Sequence, residues 1–520
     1  MLALLVLKPL SASGVARSSV ASGNWNVPAT WSPAGMPVAG DDVTIAANHT
    51  VTITAAAACT SITFGATASS LTFSGAFTLN ISGAVTMAAS TSAATTFDVG
   101  PGIANINGLF TMNGGSGNAI RKNDVTITTG TLNLNGGFTT LTSRCNVFFS
   151  GSGVLNISGN LSVNPMTLTK GTGTVNYTGS TAQNIWLLDY YDLGISGTGV
   201  KTCTGVLSVP TGLSVASGSV FALTSTGTPL TFTGVISGSG TVLYSGATAQ
   251  TVSAATFPNL EFSGAGGKTI AAGTTITVGN NWIVGSATTL TTTAAAVVTG
   301  SISGSGAITM ATGTISLAGN WTNNATFASG TGTVIYNGGT QTIAALTYFN
   351  LQTSTSGTKT LAGTTTVANI LTIGASSTLD LSSVTLTLSG AGTPLVNSGT
   401  LTCSTSTVNF SNAGSVNIPA LNYNSLNITG GPRVLANVGT SGIAAVFTPG
   451  AGAFTITGST VNFNGAAQTI PAFTFNDLIL SGSLAKTILT ATVVNVNTIE
   501  IQNGPTLDLP GTAQLNITKP

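Results

Sequence analysis

The chain has 520 residues, of which hydrophobic types make up 42% and charged types only 4%, with a formal net charge of +1. Charge this sparse excludes a surface that neutralises nucleic-acid phosphates, and no apolar run approaches the roughly 20 residues of a membrane-spanning helix. An ordinary soluble domain carries about 25% charged residues, so this exterior must be built from Thr, Ser, Asn and Gly.

Residues 1–22 begin with an apolar run, Leu2, Ala3, Leu4, Leu5, Val6 and Leu7. It reads either as the remnant of a secretory signal, with small residues downstream, or as a connector strand that adds to a neighbouring copy. Residues 23–64 then place Trp25, Thr30-Trp31, Gly35, Pro37, Gly40-Asp41-Asp42, Val43-Thr44-Ile45 and His49-Thr50-Val51 in order. This stretch resembles G8-type modules and the first coils of large secreted bacterial β-helix proteins. The resemblance implies architecture and no particular activity: a coil stack whose open end Trp25 and Trp31 plug as a cap.

Between residues 65 and 173, runs such as SLTF, FTLNI, TLNL and VLNI alternate with period two and are broken by Gly, Ser and Asn. They predict irregular solenoid coils made of short strands and turns, without helical periodicity. Gly-Asn phrases at 159–160, 279–281 and 319–320 are read as turn-plus-strand units, with Asn stacked at coil corners.

Residues 174–520 repeat one degenerate block five times, starting at Thr174, Thr241, Thr333, Thr407 and Thr460. An aromatic ring recurs three residues on, at Tyr177, Tyr244, Tyr336, Phe410 and Phe463, and a leucine near the eighteenth, at Leu193, Leu260, Leu351, Leu426 and Leu478. A lone cation closes each block: Lys201, Lys268, Lys359, Arg433 and Lys486. The starts are 67, 92, 74 and 53 residues apart. A propeller needs one blade length, whereas these intervals fit a stack with about 22–26 residues per coil. The expected fold is all-β: one long parallel β-helix (β-solenoid), right-handed by analogy, with an N-terminal cap. The blocks resemble repeats of adhesin-like and autotransporter-like bacterial surface proteins, which implies an extracellular or cell-surface location.

Candidate chemistry is thin. His49 is the one histidine, and of eleven acids only Asp41/Asp42 and Asp189/Asp192 lie close in sequence, both in turns. No catalytic set, cofactor site or metal site is expected. Cys59, Cys145, Cys203 and Cys403 are widely spaced and read as buried small residues, with disulfides the alternative. The cation column reads as solvated charge at strand starts, against an anion-binding or inter-subunit stripe. Trp186, Trp282 and Trp321 are candidates for glycan contact but fit strand cores better. A threonine-lined face suited to ice is a minor candidate, since no T-x-T recurs at a fixed place in the sequence. The chain thus reads as a structural subunit that partners itself in a filament, sheath or cell-surface layer. A monomeric glycan-binding adhesin is the alternative, and a polysaccharide-active enzyme comes third.

Overall fold

The computed structural model describes residues 14–519, apart from 116–119, 164–165, 271–272, 287, 293–294 and 503. Described secondary structure is strand throughout, save a single 3-10 turn at Pro28–Thr30. The chain is a parallel β-solenoid, divided into two compact units at Leu260/Glu261.

Up to Thr167–Thr169 the coils of the first unit have three short strands each, and three sheets grow by adding every third strand in parallel, whereas the coil from Thr174 to Asp192 has only two strands. The strands Thr50–Ile53, Ala57–Cys59 and Ser61–Phe64 make one coil; Ser70–Phe73, Thr78–Ile81 and Val85–Met87 stack on them as the next. Alternation explains the arrangement. In Thr78–Ile81 Leu79 and Ile81 are buried while Asn80 faces out, as the period-two pleat requires. The core is therefore a narrow column of stacked Leu, Ile, Val and Phe, with rings such as Phe64, Phe97, Phe110 and Phe138 in successive contact.

The second unit keeps the parallel register and includes short coils, as does the first unit from Thr174 to Asp192. The Thr-Val-x-aromatic strand pairs with the leucine strand of its own block, as in Val334↔Leu351, Val408↔Leu426 and Val461↔Leu478. The recurring leucine therefore marks one coil, of 17 residues from Thr333 to Asn350 and from Thr460 to Asp477. In the first unit the coil from Ile103 to Thr131 takes 28. The range is wider than the expected 22–26 because turn length, not strand length, absorbs the difference. In the shortest coils two sides merge into one strand, Thr347–Thr353 and Thr474–Leu480.

Candidate functional site

Each block ends its aromatic strand in a sharp turn, and in four of the five the next strand opens with an inward-facing polar side chain. Gln183, Gln250, Gln341 and Gln468 occupy that place and are buried. The Gln183 amide donates to the carbonyls of Ile157 (3.0 Å) and Gly159 (2.8 Å) in the coil before, and its Oε1 accepts the Gly179 N–H of its own turn (2.9 Å). Gln250, Gln341 and Gln468 repeat the pattern, with Oε1 on Gly246, Gly338 and Gly465.

One coil later the cation column takes the same register position: Gln183↔Lys201, Gln341↔Lys359 and Gln468↔Lys486. Lys201, Lys268, Lys359, Arg433 and Lys486 are all 0% exposed, which corrects both sequence readings, the solvated charge and the accessible stripe. Lys201 Nζ donates to Gly179 O and Gly199 O, both at 2.7 Å. Lys486 reaches Gly465 O (2.8 Å), Ala466 O (2.5 Å) and Ser483 O (3.3 Å). Lys359 reaches the carbonyls of Thr355, Ser356 and Gly357, and Lys268 that of Gly266.

The cause lies in the backbone. A tight turn directs several carbonyls inward where no strand pairs them and no water reaches, and such groups must find donors. An ammonium supplies three. The fourth block solves the problem differently: Val416 replaces the glutamine, Asn412 donates to Ser389 O (2.6 Å), and the Arg433 guanidinium donates to Asn412, Gly414 and Gly431 carbonyls at 2.8–3.0 Å. Burial lowers the pKa of all five cations. Enclosed in carbonyl cages, they bind turns to turns and meet no anion from outside.

A second polar device lies on the outer face. Asn105 Nδ2 donates to Asn80 Oδ1 (2.7 Å), Asn133 to Asn105 (2.6 Å), Asn156 to Asn133 (2.7 Å) and Asn176 to Asn156 (2.9 Å). The ladder runs along mid-strand positions, not the corners expected for stacked asparagines, because flat parallel strands hold successive amides about 4.8 Å apart. It ends where Gly194 follows Asn176 in register. Thr44, Thr63, Thr86, Thr111 and Thr139 likewise stack in one column of single threonines, without a second threonine two residues away.

The remaining candidates resolve singly. Trp25 and Trp31 are buried edge to face at 5.3 Å, with Trp31 Nε1 donating to Trp25 O (2.9 Å). Trp31–Ser32 lies antiparallel on Ala16–Ser19, at the outer edge of its sheet. The run Leu2–Leu7 falls outside the described residues. His49 Nδ1 meets Ser19 Oγ at 2.9 Å, but Ser19 is buried and its Oγ accepts the Ala46 N–H, so the pair braces a turn. Asp41 is buried and Asp42 exposed. Burial raises the Asp41 pKa, yet the Val15 N–H, Arg17 and the Val38 N–H together hold it below its ordinary value. Asp189 pairs with Lys170 at 2.7 Å. The four cysteines are free and buried, and no three metal-ligating side chains cluster among the described residues.

The tryptophans separate cleanly. Trp282 and Trp321 are core residues at 0% and 4% exposure. Trp186 is half-buried on a loop outside any strand, lining a groove of about 460 Å³. Sequence reasoning missed the Gln column and the second ring of each block, such as Tyr190 against Tyr177 and Tyr348 against Tyr336. Both were visible as fixed offsets. A scan of protein-family models and searches of curated proteins and of solved structures find no match to this chain.

Proposed function

We propose that this chain is an extracellular structural subunit, a non-enzymatic β-solenoid that assembles with copies of itself into a filament, sheath or surface layer. The observation that carries the reading is the use of polar side chains. In the blocks, Gln, Lys and Arg are enclosed in backbone cages, and the outer asparagines bond to one another, so the polar groups serve the scaffold. With so few charges, little repulsion opposes contact between copies.

The last described strand, Gln514–Ile517, pairs with Val493–Val496 and leaves Ile517 53% exposed. Leu2–Leu7 of a second copy is the proposed donor of a strand that adds to the end of a coil stack. Such a head-to-tail contact is heterologous and polymerises unless it closes a ring. The extracellular placement rests on the resemblance of the repeats to secreted β-helix proteins.

Negative-stain electron microscopy of the protein with and without residues 1–17 tests the proposal. Regular filaments that disappear on truncation are the expected result. Filaments in both samples remove the connector role of Leu2–Leu7 while keeping the subunit, and isolated particles in both samples overturn self-assembly.

A further inference from the structure

We propose that the groove beside Trp186 is a binding site for a neutral saccharide, with one sugar ring lying on the indole. The repeat itself points to Trp186. The residue three places after the buried glutamine is Ser253, Ala344 and Pro471 in three blocks, and Pro419 stands three after Val416. The other blocks place a small residue or a proline here, and the interval from Gln183, Gln250, Gln341, Val416 and Gln468 to Asp192, Asn259, Asn350, Ser425 and Asp477 is nine residues in every block. Only the first block puts an indole there, half-exposed.

The backbone that carries the indole is held from within. The Trp186 backbone N–H donates to Tyr177 Oη (3.1 Å), Tyr190 Oη donates to the Trp186 carbonyl, and the two buried hydroxyls meet at 3.0 Å. Ala344 receives the same clamp from Tyr336 and Tyr348, so the clamp belongs to the fold and the ring is an addition to it. A platform whose backbone is already fixed loses little freedom on binding.

The surroundings select the ligand. Met166, Ile185, Trp186 and Leu187 give an apolar floor, and the exposed Asn184 and Thr204 give an amide and a hydroxyl at its margin. Leu187 reaches its place across Gly205, where a Cβ would stand 2.2 Å from its Cδ1. The one carboxylate of the loop, Asp189, is neutralised by Lys170. An uncharged groove with an aromatic face and a few hydroxyl-bonding groups matches a pyranose, which has an apolar C–H face and a polar rim. The corresponding groove of the fourth block, about 420 Å³ beside Pro419, has no ring and serves as an internal contrast.

Affinity electrophoresis of the full chain through gels containing hydroxyethylcellulose, glucomannan or arabinoxylan tests the site. Wild type should be retarded by at least one of them, and Trp186→Ala should weaken that binding by about tenfold or more, while Trp186→Tyr retains most of it. Alanine already stands at this place in the third block, so the variant is expected to fold. No retardation in any gel, equal retardation of Trp186→Ala, or equal loss in both variants overturns the proposal. The inference does not depend on self-assembly.

Discussion

Among the described residues, Lys201, Lys359, Arg433 and Lys486 form no ion pair with a carboxylate, and desolvation is what lowers their pKa. What holds each charge is the set of carbonyls that would otherwise be orphaned. Removing the ammonium while keeping the aliphatic stem, as in Lys201→Met, strands Gly179 O and Gly199 O. At about 1–3 kcal/mol for each unpaired buried acceptor, a loss of roughly 2–6 kcal/mol is expected in chemical denaturation. A variant as stable as wild type refutes the cage. Tyr177 and Tyr336, in the block interiors, titrate in a way that can be read directly. Burial is the main cause that pushes each pKa up to about 12, from an ordinary value of 10. Their contribution is therefore complete below pH 10 and is lost as pH rises through 12, at about 3 kcal/mol per ring. The caged lysines act in the opposite sense: with pKa lowered below 10.5, they let stability rise with pH until that value is passed. Thermal melts from pH 9 to 12 should show the tyrosine loss, and the double variant Tyr336→Phe/Tyr348→Phe should shrink it.

At the scale of the strand, polar columns complement the apolar one. Asn133 sits mid-ladder, donating to Asn105 and accepting from Asn156. Asn133→Ala should cost about 1–2 kcal/mol through two lost bonds, whereas Asn160→Ala, at an exposed turn, should change stability by under about 0.5 kcal/mol. Equal effects in the two would deny the ladder its role. The strands themselves were legible because period-two alternation needs only four or five residues to declare itself, as in Thr78–Ile81. The columns were not. Asn80, Asn105, Asn133, Asn156 and Asn176 are separated by intervals of 25, 28, 23 and 20 residues, and unequal turns hide a register that the sheets make regular. The cations were found by offset but placed on the wrong side of the backbone. Lys201 follows a Gly turn just as a solvated strand start would, and only the inward pleat, set by Cys203 two residues on, decides its direction.

For the molecule as a whole, sparse charge means that salt has little to screen. Ion pairs among the described residues include Arg17–Asp41, which is largely enclosed and therefore little screened, and Lys122–Asp124 and Lys170–Asp189 nearer the surface, where such pairs contribute under about 1 kcal/mol. Melting points in low and in molar NaCl should therefore agree within a few degrees; a large shift would reveal charge interactions that these contacts do not supply. Enclosure of the cations also has an enzymological consequence. Trypsin cuts after Lys and Arg, and between Lys170 and Lys519 every such residue is one of the five caged ones. To cleave there, the protease must wait for a coil to open. The native chain should consequently yield, under limited digestion, a persistent fragment covering residues 171–520, with cuts confined to the region up to Lys170, because trypsin does not cleave the Lys519–Pro520 bond. Mass spectrometry of the digest would show it, and early cleavage at Lys268 or Lys359 would mean that those coils breathe.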